Sequence, residues 1–394
     1  MLYFSETTHA PFERINNEAA RHSFDESRLK MLVSRLGDLY DDFRTASEYC
    51  KMSEYRRQFL LALLAYAANR GVSVDQICRE SDVSLETLTT SVGVLTSAQQ
   101  NSLWRNTSKL CRDELLGLHF GESLQLSALG AVGEIVKSSD TVGKALTVAC
   151  SLAPLVTDLF TLRVSNNEKH IKITLEPVQA AVLGSGESAM TDDEFVARQV
   201  ADFLMMFTIH ELDGLILRRI VPTKVTYPYQ KKSASEYDRA LRQLPTKDGQ
   251  EMSITLDGEY WDLPILTANY EMQRMFLEKV SATTQKNTPT SFQTRVLDYL
   301  MKNAYLGICS LEDVAANFNM TARSLQRRLR DESATFQQLA DSVRKSLALH
   351  YLQSGKYQIK EISHILGYNE LSAFSRAFKR WTGVSANEIG RGSR

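Results

Sequence analysis

Two stretches near the C-terminus decide how this chain is read: SLEDVAANFNMTARSLQRRLRDE at residues 310–332 and QIKEISHILGYNELSAFSRAFKRWT at residues 358–382. In the first, Ser310, three residues ahead of Asp313, caps a short helix whose Leu311, Val314, Ala315 and Phe318 face inward. Asn319-Met320 makes the turn, because asparagine tolerates left-handed backbone. Thr321 opens a second helix in which Leu325 and Leu329, four apart, bury together. Its other face then presents Arg323, Gln326, Arg327 and Arg330. The second stretch repeats the plan. Ile359, Ile362, Ile365 and Leu366 form the inner stripe, Gly367 ends the helix, and Asn369 is placed to cap the next. There Phe374, Phe378 and Trp381 mark the buried side, leaving Ser372, Ser375, Arg376 and Lys379 outward.

Working outward, residues 336–352 between the two units form one amphipathic helix with Leu339, Val343, Leu347, Ala348 and Tyr351 inside. A rigid helix of that size holds two recognition helices about one DNA turn, ~34 Å, apart. Arg chelates guanine O6/N7, Gln chelates adenine N6/N7, and flanking Arg pairs with phosphates. One such hairpin is a weak signal, since many helical hairpins are only packing units. Two in tandem with basic outward faces point to double-stranded DNA as the partner.

The charge distribution agrees. The whole chain carries a net charge of −1, yet residues 291–394 hold 15 Lys/Arg against 9 Asp/Glu. The preceding 290 residues are acidic, so a polyanion suits only the C-terminal end. No apolar run approaches the ~18 residues of a membrane span. The N-terminus lacks a basic region followed by an apolar core, so no secretory signal is visible. Five dispersed cysteines without a C-x-x-C pair suit inert thiols in a reducing cytoplasm. Seven histidines show no metal-ligand spacing, and no Ser/His/Asp or Cys/His arrangement emerges. Neither a metal, a cofactor nor an enzymatic activity is expected.

Upstream, residues 1–27 read as a loosely ordered lead-in, and a helical period starts at Ser27. Residues 56–69 predict a buried helix closed by Gly71, followed by short helices at 73–81 and 84–91. That pair mimics a helix-turn-helix, but its second helix has no basic residue, so it reads as packing. Helices are expected at 97–119 and 141–156, then a β-hairpin from 158–164 and 169–175 around the turn Ser165-Asn166-Asn167-Glu168. Residues 183–189 read as a loop whose Gly-x-Gly lacks the rest of a phosphate-binding motif. Thr191-x-x-Glu194 opens a helix to about Leu212. Strands at 216–221 and 252–256, a helix at 234–244 and a last helix at 263–280 complete an α+β body, residues 28–280. The polar, Pro289-containing segment 281–291 is the linker to the domain 292–394.

At residues 362–384 the sequence ISHILGYNELSAFSRAFKRWTGV resembles the second-unit signature of the AraC/XylS family of bacterial transcription regulators, and SLQRRL at 324–329 is similar to that family's first recognition helix. The resemblance implies base-edge contacts from Arg323, Gln326 and Arg327, and from Leu371, Ser372, Ser375 and Arg376. After the second helix the chain departs from the family pattern, with Ser385-Ala386 and Ile389-Gly390-Arg391 where Ser-Pro and Tyr-Arg are usual. More faintly, residues 126–156 and 261–273 resemble the N-terminal arabinose-binding-like or dimerisation domain of one subgroup. The expected architecture is an α+β effector or dimerisation domain followed by an all-α DNA-binding domain with two helix-turn-helix units joined by a long helix. The expected function is a cytoplasmic transcription regulator, an activator, with DNA, RNA polymerase, a small-molecule effector and a second copy of the chain as partners. Alternatives are a ligand-free dimerisation and partner-contact module, or an enzyme with a DNA-binding tail, which no residue favours.

Overall fold

A computed structural model describes residues 54–90, 95–178, 190–229, 231, 233–247, 251–265, 291–303, 309–355 and 357–391. The lead-in, the helical period from Ser27, the loop 183–189, most of the helix at 263–280 and linker residues 281–290 lie outside the described residues.

The body begins with α1 (Glu54–Asn69), whose Phe59, Leu60, Leu63, Leu64 and Ala67 are buried. Gly71, at φ +84°, ends its turn in the conformation that glycine adopts without strain. Next come α2 (Val74–Glu80) and α3 (Leu85–Thr89), each opened by a serine whose side chain accepts a backbone N–H. Between them Asp82 is left-handed and the Val83 N–H returns to the Cys78 carbonyl. This is a helix-turn-helix corner in geometry, but its second helix has five residues and buries Leu88, so it packs.

The single helix expected over 97–119 is two, α4 (Ser97–Cys111) and α5 (Leu116–Gly121). Arg112 turns left-handed, and Asp113 accepts the Leu115 N–H at 3.0 Å and meets the His119 imidazole at 2.8 Å. One aspartate thus closes one helix and orients the next. Short helices α6 (Ala131–Lys137) and α7 (Val142–Leu152) lead to the hairpin, strands β1 (Phe160–Asn166) and β2 (His170–Pro177).

Helix α8 (Asp192–Ile216) runs through the middle of the body and is buried on nearly every side. Thr191 caps it as expected, but the Glu194 carboxylate turns to Arg198 and leaves the capping box half made. Helix α5 lies against it closely enough that a β-carbon on Gly117 would stand 1.9 Å from the Gln199 carbonyl oxygen. The Gln199 side chain satisfies the Gly117 N–H at 2.7 Å and the Glu114 carbonyl at 2.8 Å.

The strand expected at 216–221 is not there. Helix α8 continues through buried Leu215 and Ile216, Leu217 turns left-handed, and the Ile220 N–H is held by Asp213 at 2.7 Å. The strand is β3 (Lys224–Tyr227), where Val225 and Tyr227 bury instead. Helix α9 (Ala234–Leu241) stops short of Leu244 because Arg242 turns left-handed to pair with Asp213. Strands β4 (Thr246–Lys247) and β5 (Met252–Asp257) complete a sheet in the order β1-β2-β5-β3-β4, antiparallel except for β3 with β4. Its register aligns Ile173, Ile254 and Val225 across three strands, all buried.

The C-terminal unit has its own core, from Phe292 to Ala386. Its helices are α10 (Phe292–Lys302), α11 (Leu311–Asn317), α12 (Ala322–Asp331), α13 (Phe336–Ser354), α14 (Ile359–Ile365), α15 (Leu371–Thr382) and α16 (Ala386–Arg391). The last is capped by Ser385 and Glu388, so the departure from the family pattern still ends in a capped helix.

Candidate nucleic-acid interface

The two helix pairs share one turn. After α11, Asn319 is left-handed at φ +51° and the Met320 N–H returns to the Ala315 carbonyl at 2.9 Å. After α14, Gly367 at φ +79° does the same, with the Tyr368 N–H on the Ser363 carbonyl at 3.0 Å. The closures satisfy carbonyls that a helix end leaves open, and they aim the following helix across the preceding one. Thr321 caps α12 through the Ser324 N–H at 3.2 Å. Helix α15 differs from expectation, because Glu370, not Asn369, is its N-cap and makes no side-chain cap bond.

In α12, Leu325 and Leu329 are fully buried, while Arg323, Gln326, Arg327 and Arg330 are all exposed. Spacings of three, four and seven put these four on one face. In α15, Phe374 and Phe378 anchor the helix, and Leu371, Ser372, Ser375, Arg376 and Lys379 are exposed. Ser375 donates to the Leu371 carbonyl at 2.9 Å and keeps its lone pairs outward. Leu371 is 42 % exposed, an apolar side chain among polar ones on that face.

The other basic side chains of these helices are engaged within the fold. Arg328 lies over the Phe292 ring at 4.4 Å, and Arg380 reaches Asp341 on α13 at 3.0 Å. Arg323, Arg327, Arg330 and Arg376 have no carboxylate partner among the described residues, and neither has Lys379. Free cationic groups on two exposed helix faces are a charge arrangement without an internal counterpart.

How the body meets this unit gave no signal in the sequence. Asn317, at the end of α11, is fully buried: its amide donates to the His119 carbonyl at 3.0 Å and to Glu122 at 2.9 Å. Arg70 bonds the Asn317 side chain and, at 3.0 Å, its carbonyl, with its guanidinium over Tyr66 at 3.5 Å and Phe318 at 4.8 Å. Asn319 donates to the Arg112 carbonyl at 2.5 Å, and Gln125 to that of Lys302 at 2.8 Å. Arg239 holds Glu122 with both terminal nitrogens, at 2.8 and 2.9 Å, and reaches Asp313 on α11 at 3.5 Å. Burial alone would raise the Glu122 carboxyl, but Arg239 and Asn317 hold it down at about 2. Burial would likewise lower the His119 imidazole; Asp113 and Glu236 lift it to about 9. The body therefore grips the first helix of the first pair and leaves the exposed basic faces of α12 and α15 uncovered.

Comparison with known proteins matches this division. The family model for the arabinose-binding domain of AraC transcription regulators, N-terminal, matches residues 71–265, and a helix-turn-helix domain model matches residues 314–392. The chain belongs to the AraC/XylS family of transcription regulators. It is 27 % identical over 325 residues to the ornithine utilization regulator of Pseudomonas aeruginosa, covering 82 % of this chain and 92 % of that one. Over 80 residues it is 42 % identical to the regulator VqsM of the same species, 20 % of this chain and 25 % of that one. It is 25 % identical over 227 residues to the virulence regulon transcriptional activator VirF of Shigella flexneri, 52 % of this chain and 86 % of that one. This AraC/XylS member is a DNA-binding transcription regulator, and no helix among its described residues is long and apolar enough to cross a membrane.

Proposed function

We propose that this regulator inserts α12 and α15 into successive major grooves and activates transcription in response to a small molecule. The carrying observation is the pair of exposed faces whose cationic side chains have no partner in the described fold. Helix α13, 19 residues long, spans about 28 Å, a length comparable with the ~34 Å between successive major grooves, which supports this reading. Arg323, Gln326, Arg327 and Arg330 are assigned base-edge and phosphate contacts from α12. Leu371, Ser372, Ser375, Arg376 and Lys379 are assigned them from α15, with Leu371 suited to a thymine methyl. The body serves as the effector-sensing or dimerising part, and a relative whose name ties it to ornithine utilization supports metabolite sensing. The relative named as a transcriptional activator supports activation; on this reading the protein is a cytoplasmic, non-enzymatic regulator that contacts RNA polymerase.

Genome-wide selection of bound fragments followed by footprinting tests this reading on the full-length protein. Protection over about two turns per protomer is expected. A protein that retards random and selected fragments equally, at every salt concentration, would overturn it.

A further inference from the structure

In the body, away from the recognition helices, one buried ammonium sits in an unusual enclosure. Lys231 lies on the connection between β3 and α9, and its Nζ is 4.0 Å from the centroid of the Tyr227 ring, 4.6 Å from that of Tyr237 and 4.8 Å from that of Tyr229. The fourth wall is Asp202 of α8, 2.5 Å from Nζ, and the Tyr237 hydroxyl donates to the same carboxylate at 2.6 Å. All three tyrosines and Asp202 are buried, Asp202 at 2 % exposure. Nζ packs on the Tyr227 ring and donates to the Tyr237 hydroxyl at 3.1 Å and the Tyr229 hydroxyl at 3.5 Å, so one aromatic ring, two phenol oxygens and a carboxylate surround it, a set of acceptors suited to a primary alkylammonium ion. Here the Lys231 side chain fills the enclosure.

Such an ion pair is a poor stabiliser. Taking both charges out of water offsets most of their attraction, and apolar residues of the same volume commonly do as well. Burial indeed pulls the Lys231 ammonium below its ordinary value, although Asp202 opposes this. The walls are also wired to the DNA-binding unit. Tyr237 is on α9, next to Glu236, which meets the His119 imidazole at 3.1 Å. Two residues further on, Arg239 grips Glu122 and reaches Asp313 of α11. Both ends of α9, Ser233 and Arg242, have left-handed backbone in non-glycine residues. Such conformations are sparsely populated by non-glycine residues and are held here by the surrounding contacts.

We infer that the enclosure of Asp202, Tyr227, Tyr229 and Tyr237 is a binding site for the ammonium group of a small alkylamine, with Lys231 as its tethered internal occupant. An entering amine displaces Lys231, forms the same ion pair, and changes the seating of α9 against α11. The inference names the chemical class of the effector and so rests on the sensing role proposed above.

The test is calorimetric titration of the full-length protein, without DNA, with n-butylammonium and 1,4-diaminobutane at matched ionic strength, and with butan-1-ol as the uncharged control. Both amines are expected to bind and the alcohol to be silent. Lys231→Ala removes the competitor and is expected to tighten amine binding at least about ten-fold, because the site is then always vacant. Asp202→Asn is expected to bind neither amine. If that variant does not fold, Tyr237→Phe keeps the ring, loses the hydroxyl, and is expected to weaken binding several-fold. A wild type silent up to ~10 mM amine, whether or not Lys231→Ala binds, makes Lys231 a fixed strut and overturns the proposal. Equal binding of butan-1-ol, or undiminished binding by folded Asp202→Asn, overturns it too. Retardation of selected DNA by the same wild-type preparation is read separately, so failure of the DNA reading and failure of the amine site are told apart.

Discussion

Replacing Asn317 by alanine should uncouple the two halves of this regulator. The residue is fully buried, and its amide makes four side-chain contacts across the boundary: with the His119 carbonyl, Glu122, the Ser123 hydroxyl at 3.2 Å and Arg70. A neutral hydrogen bond contributes about 1 kcal/mol net and one to a charged group about 1.5–3 kcal/mol. The stranded groups are not left bare, because Glu122 keeps Arg239 and Arg70 keeps the carbonyl of residue 317 and its two rings. The low end therefore applies, and two neutral and two charged bonds give an expected loss of about 5 kcal/mol of coupling between the units. For a helical unit of about 100 residues this moves the midpoint by roughly 20 °C. Scanning calorimetry of the full-length protein should show one transition in the wild type and two in the variant, the new one lower. A variant that unfolds in a single transition within about 1 °C of the wild type refutes the reasoning, since the boundary would then carry no coupling.

Three further outcomes are expected. Arg327→Ala and Arg376→Ala should each weaken binding to selected DNA by about 1–3 kcal/mol, with the larger loss of sequence discrimination for Arg327, because α12 offers more base-reading groups; mobility shifts on point-mutated sites would reverse that ranking if α15 dominates. Gly117→Ala should destabilise the body by at least about 2 kcal/mol in urea unfolding, because the backbone of Gln199 stands where the new β-carbon must go. Stability should peak near pH 6.5. His119, at about 9 in the native state, holds a proton the unfolded chain loses, so its contribution is complete below about 6.5 and disappears as pH rises towards 9. His210 has its imidazole lowered by burial to about 4, so the unfolded chain gains the proton first and stability falls as pH drops from about 6.5. Urea midpoints that stay flat between pH 5 and about 9 would refute both assignments.

What this sequence determines by itself is whatever is decided within about one turn of helix or one hairpin. Ser310, Thr321 and Asn319 cap and turn the first pair through contacts no more than five residues apart. Leu325 and Leu329 dictate which face of α12 is left for Arg323 and Arg327. The alternating Ile171, Ile173 and Leu175 set the hairpin. Hydrophobic periodicity and capping are short-range signals, so which faces of α12 and α15 are buried and which are exposed was legible without a structure. The strand expected at 216–221 lost to a long-range contact, and the helix expected at 97–119 to a local cap. Arg242, 22 residues on, holds the Ile220 carbonyl just past the end of α8, whereas α4 ends where Arg112 turns left-handed and Asp113 accepts the Leu115 N–H. The tertiary structure alone decided that Asn317 and Arg70, 247 residues apart, share one hydrogen-bond network. It also decided that Asp202 meets Lys231 among three tyrosines. In the sequence each is one polar residue in an ordinary segment. Its partner is chosen by packing, which no local pattern encodes.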